Sequence, residues 1–329
     1  MQSRDDSALK KTFMKYILFW SAPPKEGATI EEWRSQDLKL SEFHSLALAS
    51  HVKLKNDTVI YTYHNLETSK VPEGIQLKDA NEFYPIEDAF YALSIGHSIA
   101  HVSDIVRISA SIKYSGVVLD MDVVMLRKVP QVETFYSSMP AKRTGGVAPQ
   151  WGKAHPPIKI HDGSWDGKAL AAFPLKIGEP TKASFQLLVD KIKNSLAVTP
   201  KKSSKAWNYV IWTVKDIIRE DTKGKVYKPF YNVPVASWMG AGKCYSIEKK
   251  SRLDGVTKVF GHLMPSKESI LKGSNMVSHF FESAFSKSEG VGPGFWDELP
   301  ETSLLAEEAQ QVMGDDWRNE LKNYPKNFK

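Results

Sequence analysis

The chain has 329 residues, 42% of them hydrophobic and 25% charged, with nine Trp, twelve Tyr and one Cys. These are the fractions of a folded soluble protein, long enough for one large α/β domain or two small ones around a sizeable core. The net charge of +6 and pI near 9.0 point to anionic ligands in general. The basic clusters at Lys201–Lys202–Lys205 and Lys249–Lys250–Arg252 have no interleaved aromatics, which argues against nucleic acid as a partner. The single Cys244 excludes an intramolecular disulfide framework and suits a reducing, cytoplasmic compartment, or the luminal part of a truncated anchored protein. No apolar run reaches the roughly eighteen residues that a transmembrane helix needs. The polar start, residues 1–13, lacks the apolar stretch of a signal peptide and is expected to be a flexible leader.

In chain order, Tyr16–Trp20 reads as a buried strand, ended by Ser21-Ala22-Pro23-Pro24. A helix is expected from Ile30 to about Ser50, then a strand over Thr58–Tyr63. Between His97 and Tyr114, apolar residues at Ile99, Val102, Ile105, Val106 and Ile112 recur at helical spacing. Ser115-Gly116 then leads into a strand, Val117–Leu119. This alternation predicts a mainly parallel sheet with helices on its faces, whose ligands collect at the carboxyl ends of the strands. The Gly- and Pro-rich stretch 145–167 reads as a long functional loop. Helices are expected over Ser184–Leu196 and Trp207–Arg219, short strands near Lys225–Tyr227 and Val259–Phe260, and a terminal helix or helix pair over Thr302–Asn323. Gly290–Trp296 reads as a Gly-hinged segment with an aromatic tip, suited equally to a lid or to a plain surface loop.

The chemistry centres on Val117-Val118-Leu119-Asp120-Met121-Asp122. A strand alternates its side chains, so Asp120 and Asp122 leave its end on the same side. Two hard oxygen ligands presented together suit Mn²⁺ or Mg²⁺, and either ion can hold a diphosphate. Upstream, Asp104 and Arg107 lie three apart on a helix and share a face. Alone they would read as a surface ion pair, but the turn at Gly116 folds that helix back beside the aspartates.

This pattern, S-D-x-x-R, a turn, a strand and D-x-D, resembles the sugar-nucleotide-binding segment of GT-A glycosyltransferases. The most similar groups are the α-1,4-galactosyltransferases, the yeast initiating mannosyltransferases and the large clostridial glucosylating toxins. The resemblance covers about thirty residues, Ala100 to Val129. It implies a GT-A fold, a Rossmann-like mainly parallel sheet flanked by helices, in one domain with insertions over residues 14–329. The donor-binding part would span about 14–130 and the acceptor and lid part about 131–329. It also implies roles residue by residue. Asp104 and Arg107 would hold donor-sugar hydroxyls, and Asp120 the ribose or sugar, partly through the metal. Asp122 would bind the metal directly. Trp20, at the end of the first strand, would stack on the base, and His279 of the Ser278–Ser283 segment would be a further metal ligand. The chain departs from the pattern at Ser115-Gly116, where the family has Gly-Gly, and at Lys168-Ala169-Leu170, where it often has Asn-Ala-Phe. The family's Gly-Pro pair has no clear counterpart, and Trp207-Asn208-Tyr209 stands at the corresponding helix start.

The implied function is a metal-dependent transfer of a sugar from a nucleoside-diphosphate sugar, a UDP-sugar before a GDP-sugar, to a hydroxyl of a glycan or of a protein- or lipid-linked acceptor. Retention of donor configuration is the family's usual outcome. The leaving diphosphate gains negative charge as the glycosidic bond lengthens, and a divalent cation stabilises that charge as a Lewis acid. No side chain is assigned as general base. Two rival readings use the same residues. In a haloacid-dehalogenase-type phosphatase Asp120 would be the phosphoryl nucleophile and Asp122 a general acid, with Asp315–Asp316 mimicking a later metal motif. That nucleophile normally sits on a first strand, whereas over a hundred residues precede Asp120. The other rival is a sugar-nucleotide- or glycan-binding protein with little turnover.

Overall fold

The computed structural model describes residues 14–128, 175–198, 295–298 and 304–324, residues 217 and 301, and the backbone of strands at 135–138, 158–159, 166–167, 225–231, 257–259, 262–264 and 277–279. Strands are numbered in chain order: β1 Lys15–Phe19, β2 Asp57–Thr62, β3 Ile75–Asp79, β4 Val117–Val118, β5 Val123–Met125, β6 Phe135–Ser138, β7 Ile158–Lys159, β8 Asp166–Gly167, β9 Leu175–Lys176, β10 Lys225–Tyr231, β11 Thr257–Val259, β12 His262–Met264 and β13 Val277–His279. The helices are α1 Ile30–Arg34, α2 Glu42–Lys53, α3 Ile86–Ser94, α4 Ile99–Tyr114, α5 Lys182–Leu196, α6 Phe295–Glu298, α7 Leu304–Met313 and α8 Trp317–Asn323.

Seven strands form one sheet in the order β10-β6-β9-β4-β1-β2-β3. All neighbours run parallel except β9, which is antiparallel to both β4 and β6. The protein is therefore an α/β, Rossmann-like fold with a mainly parallel sheet, as the alternation predicts. Buried residues cover both faces of β1. Ile17 and Phe19 join Val59, Tyr61 and Val118 under α4 and α5. Tyr16 and Leu18 join Ile60, Val117, Leu119 and Leu48 of α2 on the other face. Burial on both faces is what turns these strands into near-continuous apolar runs, each buried large aliphatic side chain contributing roughly 1.5–3 kcal/mol.

The strand order reverses at β1. From β1 the chain steps outward to β2 and β3, then crosses back to lay β4 on the other side of β1. This is a topological switch point, and the crevice beyond the carboxyl ends of β1 and β4 is where such sheets bind ligands.

Several local features differ from expectation. The helix predicted from Ile30 to Ser50 is two helices. Ser35 closes α1, and Ser41 opens α2 with a reciprocal cap to His44, so the break carries its own start signal. The strand β3, helix α3 and the strands β5, β6 and β9 were not anticipated. The terminal segment is a helix pair, α7 and α8, separated by Gly314 at φ 93° and packed on α2. Of the expected helix at Trp207–Arg219, only Ile217 falls among the described residues, in helical conformation. The loop 145–167 lies outside them save for β7 and β8, which pair antiparallel. The leader 1–13, Lys168-Ala169-Leu170, Trp207-Asn208-Tyr209 and Gly290–Gly294 also lie outside.

The turn from α4 to β4 explains the departure at Ser115-Gly116. Ser115 caps α4 in the left-handed region at φ 51°, the position where glycine is at ease. Gly116 needs no unusual φ, but a methyl there would lie 2.8 Å from the Lys15 carbonyl and 2.6 Å from Ile17 Cδ1. The first position tolerates a side chain at some cost, whereas the second does not. Ser115→Gly is thus expected to stabilise the protein modestly, by up to about 1 kcal/mol, as the left-handed penalty outweighs glycine's chain entropy. Gly116→Ala is expected to destabilise it by about 1–3 kcal/mol, because the backbone of β1 must shift. Urea unfolding of both variants checks the pair, and a Gly116→Ala midpoint equal to the native one would refute the close approach.

Candidate active site at the carboxyl ends of β1 and β4

Beyond β4, the Leu119 N–H donates to the Ile17 carbonyl at 3.0 Å, so the β1 ladder continues to the edge of the aspartates. Burial then alternates: Leu119, Met121 and Val123 are buried, while Asp120 and Asp122 are half-buried. Met121 sits in the core on the α2 face, and the neighbouring Asp120 turns the other way to meet Arg107 of α4.

Helix α4 supplies the groups they meet. Ser98 starts the helix by accepting from the Ala100 N–H at 3.2 Å, and the fully buried Val106 and Ile108 fix the turn that carries Arg107. Arg107 Nη1 donates to the Leu119 carbonyl at 3.1 Å and also to Asp120 Oδ1. Its Nη2 donates to Asp104 Oδ1 at 3.2 Å. Asp104 and Arg107 are only 5% and 6% exposed, so this is a buried ion pair reaching a half-exposed carboxylate, not the surface pair that their spacing alone would give. Burial pushes the Asp104 carboxyl up, to about 7, against the pull of Arg107 and with a further push from Asp120. Burial works against the Arg107 charge, but Asp120 and Asp104 outweigh it and hold the guanidinium above its ordinary range.

Trp20 stands at the same edge on the other face. Its N–H donates to the Tyr61 carbonyl at 3.0 Å and its indole Nε1 to the Lys39 carbonyl at 3.0 Å. The ring lies 4.1 Å from that of His44, tilted by 57°, and packs against the α2-face core. The structure thus gathers Asp104, Arg107 and Asp120 in direct contact, and sets Trp20 across the strand ends from them. His44, beneath Trp20, was not singled out in the sequence. The signal that points to it is the Ser41-x-x-His44 cap, in which His44 stands where Glu or Gln is usual.

His279 is described through its backbone. β13 pairs antiparallel with β5, in the register His279↔Val123, Ser278↔Val124 and Val277↔Met125. Directly opposed residues in such a ladder have Cα atoms about 4.5–5.5 Å apart, which places His279 across from the residue after Asp122. Among the described residues no group of three His, Cys, Asp or Glu side chains converges as a metal site. Asp120 and Asp122 still fit a divalent cation in chemistry and placement: two hard, half-exposed carboxylates two residues apart beyond a strand end, with a histidine-bearing strand laid alongside.

Other candidate residues lie elsewhere. Trp296 is 2% exposed and meets Trp317 edge-to-face at 6.0 Å, so it anchors α6 to α8 and is not an exposed lid tip. Asp315 and Asp316 sit in the turn between α7 and α8. Asp315 accepts from Gln310 Nε2 at 2.9 Å and Asp316 from Asn319 Nδ2 at 2.7 Å. Those helices pack on α2, the face of the sheet away from Asp120. Among the described residues no helix is long and apolar enough to cross a membrane.

No family model matches the sequence, and no curated protein matches it. Among solved structures the chain is similar to a PaToxG glycosyltransferase, at 10% identity over 64% of this chain and 70% of that one, with a TM-score of 0.38.

Proposed function

We propose that the protein is a metal-dependent glycosyltransferase that moves a sugar from a nucleoside-diphosphate sugar to an acceptor hydroxyl, with retention of configuration. The observation that carries this reading is the placement of the Asp120/Asp122 pair at the switch point, met from α4 by Arg107 and Asp104. Mn²⁺ or Mg²⁺ would be held by Asp120, Asp122 and His279, and once bound it supplies Lewis-acid stabilisation to the departing diphosphate. Trp20 would offer its indole to the base, a role for which its edge is already fixed by the Lys39 carbonyl. Asp104 and Arg107 form the floor behind Asp120, where donor-sugar hydroxyls would meet them. A UDP-sugar is favoured over a GDP-sugar, and the acceptor is a glycan or a protein- or lipid-linked group. A phosphatase is disfavoured, because Asp120 follows the fourth strand and already engages a buried arginine, while Asp315 and Asp316 are exposed in the turn between two helices that pack on α2, on the other face.

Thermal unfolding with UDP-sugars and GDP-sugars, with and without Mn²⁺, tests the reading. A ligand at a hundred times its Kd stabilises by about 2.7 kcal/mol, a clear rise in melting temperature. The expected result is a rise that requires sugar nucleotide and Mn²⁺ together. No rise with any sugar nucleotide, alongside hydrolysis of a simple phosphomonoester, would replace this reading with the phosphatase.

A further inference from the structure

We propose that Arg107 is a positioning residue that presets the Asp120 carboxylate for a divalent cation. It does so by clamping that carboxylate and the adjoining Leu119 carbonyl with one guanidinium, backed by Asp104. The inference rests on the metal-dependent reading above and gives Arg107 a task separate from touching a donor sugar.

Three observations carry it. First, the segment that holds the aspartates is weakly held by the sheet itself. β4 has only two paired residues, and Asp120 to Asp122 form a turn before β5. A carboxylate on such a turn samples several rotamers unless something outside the strand fixes it. Second, Arg107 grips both the side chain and the main chain of that turn. Nη1 bridges the Leu119 carbonyl at 3.1 Å and Asp120 Oδ1, so the planar guanidinium defines where the Asp120 carboxylate lies relative to its own backbone. The base of the clamp is rigid, because Val106 and Ile108 on either side of Arg107 are fully buried.

Third, the guanidinium does not face Asp120 alone. A lone guanidinium beside a cation site would repel the cation. Here Asp104 accepts from Nη2 at 3.2 Å and is 5% exposed, so a second acidic group stands against the guanidinium on the side away from Asp120. Such outer-shell partners of metal ligands typically govern affinity by about 10- to 100-fold.

The experiment is a Mn²⁺ titration followed by electron paramagnetic resonance on the full chain, comparing native protein with Asp122→Asn, Arg107→Lys and the double variant Asp104→Leu/Arg107→Met. Removing Arg107 alone strands a buried carboxylate, whereas replacing both charges by apolar side chains avoids that cost, so the double variant retains the fold. Circular dichroism and melting temperature confirm it. The expected result is Mn²⁺ binding to native protein, loss of binding in Asp122→Asn, and affinity about 10- to 100-fold weaker in the folded double variant. Arg107→Lys, which keeps the charge but not the bridge, should fall between. Native-like affinity in both Arg107 variants, with binding still lost in Asp122→Asn, would overturn the clamp and leave the metal site standing. Failure of native protein to bind Mn²⁺ would overturn the metal site and the clamp together.

Discussion

Asp122→Asn is expected to lower Mn²⁺-dependent release of nucleoside diphosphate by about 10²- to 10³-fold, with little change in folding stability. That magnitude is typical when a preorganised group that stabilises transition-state charge is removed. The substitution keeps the shape of the side chain and removes one of the carboxylate charges of the proposed metal site. Stability should hold because Asp122 is half-buried at a strand end and takes no part in either core. Initial rates at saturating donor, paired with a melting curve, check both halves. An Asp122→Asn enzyme with native turnover would rule out metal-dependent transfer through this pair.

The second large effect concerns acid. His51, on α2, is 1% exposed, with Nδ1 bonded to Thr58 Oγ1 at 3.0 Å and its ring edge-to-face with Tyr16 at 5.4 Å. Burial pushes its pKa down to about 3 from an ordinary 6.5. The folded state therefore holds His51 neutral while the unfolded chain takes up a proton below about pH 6.5. Its contribution to stability is complete above that pH. It is lost at about 1.4 kcal/mol per pH unit as the pH falls toward 3. His64 and His101, also lowered by burial, act in the same direction. Asp104 acts in the opposite direction, since its raised pKa makes the folded state the better proton binder between about 4 and 7. The comparison is therefore made between variants, where the other groups cancel. Between pH 6.5 and 5, native protein should lose about 2 kcal/mol more than His51→Gln, which keeps a hydrogen-bonding group for Thr58 but cannot charge. Urea unfolding at the two pH values measures the difference, and equal losses would contradict the account.

How much of this was legible in the sequence depends on how local the deciding interactions are. The strand into Asp120 and the helix to Tyr114 follow from period and spacing within about twenty residues, and both are present. The break between α1 and α2 was missed because its cap is made by a histidine, His44, where Glu or Gln is the familiar sign. The strand β3, Ile-Gln-Leu-Lys-Asp, has only Ile75 buried and so carries little of an apolar pattern. The strand β9 pairs through only two residues, and its antiparallel direction is set by β4 and β6, not by its own sequence. At the site, Asp104 and Arg107 were legible as a pair but not as a buried one. The third partner is a carboxylate and a carbonyl thirteen and twelve residues away. Trp20 and Asp120 were both legible as strand-end residues. Their placement on opposite faces needs the register of β1 against β4, which no single strand's sequence contains.

The central claim is that the Asp120/Asp122 site transfers sugar from a nucleotide donor. Its most direct test is release of free nucleoside diphosphate from a panel of UDP- and GDP-sugars, with Mn²⁺ and with chelator. The account predicts release from at least one sugar nucleotide, a UDP-sugar first, that depends on Mn²⁺ and is lost in Asp122→Asn. Binding of sugar nucleotide without any release under either condition would contradict it and leave a protein that holds the donor without turning it over.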